Sequence, residues 1–332
     1  MNRHKIMLIW FALLLLASAA AAQEATPKAS GGTPEDKKAD KAKEKSGDLF
    51  IRIRRDEKKR PQALETSVLR MEKSPRWPGA TVDLIGALHI GELSYYEALN
   101  SKFKEYDAVL YEVVKPEDAV IPRPAERPEE TSPISQLQTG MKDMLDLTFQ
   151  LDHIDYNQRN LVHADMTPQE LAQAFKEEFS KSATPSAQGF LDTVASSLGG
   201  ASTSQQANDS AMSIRMMLAL ASSDRARRVK IIFAEQLLGL DAQMKQLGGI
   251  LSGALIDQRN TKCLNVMERE LTRGKKKVAV FYGAGHFPDM EKQLREKYGF
   301  SRGGAEWIPA WDLTRSSKPP AKDAAPKRDD SK

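Results

Sequence analysis

The chain has little cysteine and little net charge, and each shortage excludes a class of protein. Cys263 is the only cysteine in 332 residues, so no disulfide forms within the chain and its stability must come from a hydrophobic core. We expect Cys263 to be a buried, unreactive residue on a helix. The 49 basic and 45 acidic side chains leave a net charge of +4, which argues against a nucleic-acid-binding protein.

The N-terminus has the layout of a secretory signal peptide. Arg3, His4 and Lys5 precede an apolar stretch over residues 6–17, and a run of alanines ends at Ala22. We therefore predict a signal peptide over residues 1–22 and export to the periplasm or the extracellular space. The apolar stretch is short for a membrane span, so contact with a membrane is expected only through this segment if it is not cleaved.

Two polar tails flank a segment that is long enough to fold. Residues 23–47 and 315–332 have too few apolar side chains to bury a core, so we predict a disordered linker and a disordered tail. The remaining residues, 48–314, are expected to form a single α/β (α+β) domain. Within it, residues 134–273 have a mainly helical pattern, and this insertion is expected to pack on the sheet, to cover the site or to form a homodimer surface.

A four-residue motif, Gly-x-x-His, occurs twice, each time between a predicted apolar strand and a predicted helix. Gly86-Ala87-Leu88-His89 follows the strand-like residues 81–85, and Gly283-Ala284-Gly285-His286 follows residues 278–282. We predict a central mixed sheet built from two related halves, each a strand, a Gly-x-x-His turn and a helix. Ligands usually bind at the carboxyl ends of such strands, so both histidines are candidates for one site. Gly86, Gly283 and Gly285 are expected to allow sharp turns and close backbone approach.

Glu112 is the third candidate, because it lies in the otherwise apolar segment 108–114, which is predicted to be a buried parallel strand. A buried carboxylate needs a partner, which would be an Arg or Lys, a metal ion or a catalytic group. If this strand pairs beside the strand that leads to His89, two imidazoles and one carboxylate face each other.

Two imidazoles and one carboxylate suit a divalent transition metal such as Mn, Co or Zn. Three protein ligands leave a coordination position for water, and the metal lowers the pKa of that water and polarises a carbonyl, as amide or ester hydrolysis requires. His89 and His286 would hold the metal. Glu112 would either complete its coordination or act as the base toward the bound water, and both roles stay open.

Four residues of the insertion are candidates for supporting roles. Arg259 and Asn260 stand at the start of a predicted helix, and Arg259 has the planar donor fork that would hold a substrate carboxylate or Glu112. His163 and Asp165 would either support the metal ligands or serve ordinary loop and capping roles.

At these positions the chain resembles the TraB/PrgY/GumN group, which includes the Tiki proteins. The resemblance covers most of residues 81–313, and its motifs are the turns at His89 and His286, the strand with Glu112 and the Asp257-Gln258-Arg259-Asn260 helix. It departs at Ala87, where many relatives have threonine.

The resemblance implies a fold of two related halves and, for the Tiki branch, a protease that depends on Mn or Co and cleaves an extracellular protein. It implies metal and catalytic roles for His89, Glu112 and His286, with Arg259 and Asn260 supporting the site. Other members of the group are described as inhibitors of peptide pheromones.

Three functions are compatible with these residues. The leading hypothesis is an exported, metal-dependent hydrolase that resembles a peptidase and acts on a peptide or protein. The second is a protein that binds and sequesters an extracellular peptide without turnover. The third is a metal-free esterase in which the same His and Glu side chains perform acid–base chemistry.

Overall fold

The computed structural model describes residues 50–122, 145, 147–181, 214–246 and 256–314. The predicted signal peptide, linker and C-terminal tail lie outside these residues, and so does the middle of the predicted insertion. Among the described helices, none is both long enough and apolar enough to cross a membrane.

Nine strands form two sheets in the described part of the chain. The strands are β1 (Ile51–Arg55), β2 (Pro61–Glu72), β3 (Thr81–Ala87), β4 (Ile90–Gly91), β5 (Ala108–Tyr111), β6 (Thr148–Phe149), β7 (Leu161–His163), β8 (Lys277–Gly283) and β9 (Ser301–Asp312). The main sheet has the order β1-β2-β3-β8-β5-β7, with β9 also pairing with β2, and β4 pairs separately with β6.

Helices connect and cover these strands. They are α1 (Leu93–Phe103), α2 (Gln150–His153), α3 (Pro168–Lys181), α4 (Arg225–Gln246), α5 (Gln258–Thr272) and α6 (Phe287–Glu296). Residues 214–220 form a further helical segment before α4.

The main sheet is mixed, as predicted. β3, β8, β5 and β7 run parallel to one another, whereas β1, β2 and β9 join through antiparallel pairs. β3 and β8 are direct neighbours, with Gly86 opposite Tyr282 and Ala87 opposite Gly283. Both Gly-x-x-His turns therefore leave the sheet at the same edge, and each leads into a helix, α1 or α6.

The order of the strands differs from the one considered in the sequence analysis. β5, which leads to Glu112, does not pair beside β3, because β8 lies between them and pairs with both. The mainly helical pattern of the insertion is also interrupted by β6 and by β7, and β7 extends the main sheet beyond β5. Strands of two or three residues are too short to show a periodic pattern, and their pairing depends on distant residues.

Helices cover both faces of the main sheet. α1 packs on one face through Tyr96, Leu99 and Phe103, which are buried and recur at helical spacing. α5 and α6 pack on the other face, where Leu294 belongs to the second core cluster. Cys263 lies in that cluster on α5 and is 0% exposed, which confirms that it is a buried core residue.

Candidate functional site

Four segments bring side chains to the carboxyl edge of the parallel strands. His89 lies two residues after β3, Glu112 directly after β5, and Asp165 two residues after β7. His286 ends a single 3-10 turn, Ala284–His286, which follows β8. Because β3, β8, β5 and β7 are parallel neighbours, side chains from distant parts of the sequence meet at one edge of the sheet.

The guanidinium of Arg259, in the first turn of α5, is the centre of a buried ion-pair network. Its Nη2 donates to Glu112 Oε1 at 2.6 Å and to Asp165 Oδ2 at 2.6 Å, and its Nε donates to Asp165 Oδ1 at 2.9 Å. The three side chains are at most 4% exposed. Arg259 therefore holds Glu112, which is one of its two predicted roles.

Asp165 supports the site through Arg259, and none of its described hydrogen bonds goes to a histidine. Its Oδ1 also accepts the Met166 N–H at 2.7 Å, so both carboxylate oxygens have donors. Asp165 and Glu112 together bring two negative charges against the single positive charge of Arg259. The buried trio thus has an excess of one negative charge, which favours a cation nearby.

Glu112 is an ionised anchor in this site. Its Oε2 accepts the Gly283 N–H at 2.7 Å, and its Oε1 faces His286 Nε2 at 3.5 Å. Burial disfavours its charged form, but the charge of Arg259, together with the neighbouring His286 ring, outweighs burial and holds the pKa of Glu112 well below its ordinary value of 4.5. A carboxylate with so low a pKa is a weak base, which favours the ligand role over the base role.

Asn260, also in the first turn of α5, orients the His286 ring. Asn260 Nδ2 donates to the His286 carbonyl oxygen at 3.2 Å and to Asp289 Oδ2 at 2.8 Å, which leaves Oδ1 as an acceptor. His286 Nδ1 lies 2.7 Å from that oxygen and therefore donates to it. In the neutral ring Nε2 then carries a lone pair, as it does in ligating histidines whose other nitrogen is hydrogen-bonded.

His89 lies near the same charges. Burial lowers the pKa of His89 below its ordinary value of 6.5, and although Glu112 and the Gln150 side chain oppose this shift, Arg259 adds to it. The ring is therefore neutral at pH 7, as a metal ligand or a general base must be.

Gln150 is a site residue that the sequence analysis missed. It begins α2, directly after β6, and its backbone N–H donates to the His89 carbonyl oxygen at 2.9 Å. No motif marks this glutamine, because its position depends on the pairing of two strands of two residues each.

His163 lies beside the chain that follows Glu112, and its described hydrogen bond goes to the backbone and not to a histidine. Its Nε2 donates to the Val113 carbonyl oxygen at 2.7 Å, and its ring packs near Tyr111. Burial lowers the pKa of His163, so the ring is neutral and Nε2 carries the proton. His163 thus supports a loop, which is the simpler of its two predicted roles.

Among the turn glycines, close packing rather than the predicted sharp turn explains Gly86. Gly86, Gly283 and Gly285 do not have positive φ angles; among the described glycines those angles occur elsewhere, at Gly79, Gly274 and Gly299. A Cβ on Gly86 would lie 3.1 Å from Thr66 Cβ, so this glycine allows close packing against β2 rather than against a ligand. A Cβ on Gly283 would meet Glu112 Oε2 at an ordinary 3.4 Å.

The types of donor fit a divalent metal. His286 Nε2 and the neutral His89 ring offer lone pairs, and Glu112 offers a permanent charge. In the described part of the chain, however, no group of three His, Cys, Asp or Glu side chains is arranged to hold a metal ion. Arg259 also donates to Glu112 Oε1, the oxygen that faces His286. Metal binding therefore stays a prediction that depends on the chemistry of the donors.

Comparison with known proteins identifies no relative of this chain. No family model matches it, and neither the curated proteins nor the solved structures contain a match. The resemblance to the TraB/PrgY/GumN group therefore depends on the motifs around His89, Glu112 and His286.

Proposed function

We propose that this protein is an exported hydrolase that cleaves an amide bond in a peptide or protein, with His89, Glu112 and His286 as its reaction centre. The observation that carries the proposal is the orientation of His286. Its Nδ1 donates to Asn260, and its Nε2 faces Glu112 Oε1 at 3.5 Å in a buried site with excess negative charge. Two atoms that both carry lone pairs favour a cation between or beside them.

A divalent transition metal, Mn, Co or Zn, is the proposed cation. His89, Glu112 and His286 would hold it, and when bound it would lower the pKa of a water molecule and polarise the scissile carbonyl. The supporting residues have separate tasks. Asn260 fixes the His286 ring, while Arg259 and the Gly283 N–H fix the two oxygens of Glu112.

A metal-free esterase is the second candidate, and the position of Arg259 favours it. Arg259 already supplies a permanent positive charge to Glu112 Oε1, and a protonated His286 Nε2 would donate to the same oxygen. The neutral His89 ring would then accept a proton from the attacking water. This candidate uses the same three side chains, so chelation distinguishes it from the first.

Metal analysis of the purified protein, with and without the two histidines, tests the proposal. We expect the wild-type protein to hold about one equivalent of Mn, Co or Zn and to cleave an unstructured protein substrate. His89→Ala and His286→Ala should lose both properties. His163→Gln is the matched control, because its ring donates only to a loop carbonyl among the described contacts, and it should keep both.

The outcomes separate the candidates. Unchanged metal content in both alanine variants removes the metal site. Full hydrolysis after exhaustive chelation, lost in His286→Ala, supports the metal-free esterase. Intact peptide recovered from a tight complex supports the sequestering protein instead of either enzyme.

A further inference from the structure

Gln150 stands directly opposite His89 across a small antiparallel pair. In that pair Ile90 lies opposite Phe149 and Gly91 opposite Thr148, so the next residues outward are His89 and Gln150. The hydrogen bond from the Gln150 N–H to the His89 carbonyl oxygen continues the pairing. Side chains directly opposite each other in an antiparallel pair lie on the same face and are close enough to interact.

The side chain of Gln150 has an acceptor without a donor. The residue is 3% exposed, and its Nε2 donates to Tyr156 Oη at 2.8 Å. With Nε2 bound to Tyr156, the other end of the amide, Oε1, has no hydrogen-bond partner in the described part of the chain. Buried amide oxygens nearly always accept a hydrogen bond, so this one calls for a donor close by.

We propose that Gln150 is the positioning residue of His89, and that Gln150 Oε1 accepts one ring N–H and holds the imidazole in a single tautomer. Asn260 already has this relation to His286, since its Nδ2 is held by two acceptors and its Oδ1 accepts from Nδ1. Each histidine would then be oriented by an amide on an element outside its own turn, α2 for His89 and α5 for His286. The proposal rests on the proposed function, because a fixed tautomer directs the other ring nitrogen to the reaction centre.

The tautomer of His89 can be measured directly. We suggest long-range ¹H–¹⁵N correlation spectra of the full chain labelled at its five histidines, with the His89 signals assigned from a His89→Gln variant. The wild-type protein should show one neutral tautomer for His89. Gln150→Met, which keeps the length and removes the acceptor, should show a mixture, and Gln150→Glu, which keeps an acceptor, should restore the single tautomer.

Asn260→Leu is the matched control, since it should change the tautomer of His286 and leave that of His89 as in the wild type. A single unchanged His89 tautomer in a folded Gln150→Met protein would overturn the proposal. Should Gln150→Met fail to fold, Tyr156→Phe gives a second test. It frees the amide to rotate, so a mixture supports the proposal and an unchanged tautomer contradicts it.

This measurement is independent of hydrolysis, because it uses the protein without metal or substrate. A protein that hydrolyses nothing but shows the Gln150-dependent tautomer keeps the positioning role and loses the proposed function. In an active protein, Gln150→Met should lower kcat about 10- to 100-fold with little change in KM, and Gln150→Glu should recover part of the loss. An active Gln150→Met protein with an unchanged kcat contradicts the positioning role alone.

Discussion

At the level of single residues, the stability of the site depends on how Arg259 neutralises Glu112 and Asp165. Burying two carboxylates costs several kcal/mol each unless a partner with good geometry compensates for the lost water. Arg259 has that geometry, because its planar fork gives parallel hydrogen bonds to Asp165 and leaves Nη2 shared with Glu112. Arg259 therefore contributes more to the stability of the fold than an exposed arginine would.

Replacement of Arg259 by Met should cost about 3–5 kcal/mol of unfolding free energy, because two buried carboxylates lose their counter-ion. The unfolding free energy is measured by urea denaturation, with circular dichroism as the signal. Lys262→Met is the control on the same helix, where the pair with Glu170 is partly exposed and should contribute about 0–1 kcal/mol. Equal losses in the two variants would contradict the central role of Arg259.

Several residues of the candidate site were predictable because they stand in local motifs. His286 and Glu112 follow apolar strands, and the structure brings them within 3.5 Å, while their catalytic and metal roles remain predictions. Arg259 was predictable as a partner of Glu112 from its donor fork. Gln150 was not, because a glutamine in a segment with a helical pattern gives no sign of which residue it will face.

At the level of elements, the start of α3 shows how local chemistry sets a boundary. The Thr167 N–H donates to Glu170 Oε2 at 2.7 Å, and the Glu170 N–H donates to Thr167 Oγ1 at 3.2 Å. These reciprocal bonds satisfy two backbone donors that a helix start would otherwise leave without partners. Pro168 begins the helix, where a missing N–H costs nothing.

Thr167→Ala should therefore destabilise the protein by about 1 kcal/mol, within the range of about 0.5–2 kcal/mol for a lost helix cap. The change in the urea concentration at the midpoint of unfolding measures this loss of stability. Thr272→Ala is a suitable comparison, because Thr272 is exposed in the last turn of α5 and its hydroxyl bonds back to the Glu268 carbonyl oxygen. A loss as large in Thr272→Ala would show that the effect belongs to any threonine.

The longer elements were predictable from periodicity, and the shorter ones were not. β3, β8 and α1 have apolar patterns of sufficient length, and the structure places each near its predicted residues. β4, β6 and β7 have two or three residues each, so tertiary pairing and not local pattern determines them. The position of β8 between β3 and β5 depends on residues far apart in sequence, which no local pattern encodes.

At the level of the whole molecule, the parallel centre of the sheet joins strands that are far apart in the sequence in one core cluster. Residues of β3, β5 and β8 share the core cluster that contains Cys263. A buried thiol in such a cluster reports on the entire fold, because local opening of a loop does not reach it. Burial also raises the pKa of the Cys263 thiol, which further suppresses its reaction.

Cys263 should react with a thiol reagent only when the whole domain unfolds. We expect labelling by a chromogenic disulfide to be very slow in buffer and to rise with urea in parallel with the loss of circular dichroism. Because the chain has one cysteine, the absorbance change counts unfolded molecules directly. Rapid labelling in buffer would show that α5 opens on its own.

The position of β8 between β3 and β5 also has a consequence for the synthesis of the chain on the ribosome. A ribosome makes β3 and β5 long before it makes Lys277–Gly283, so the growing chain has a gap in the middle of its sheet until β8 emerges. His286 and the Gly283 N–H that fixes Glu112 arrive with the same segment. A nascent chain that stops before β8 therefore lacks both His286 and the Gly283 N–H that fixes Glu112, so the carboxyl edge of the sheet is incomplete until this segment is made.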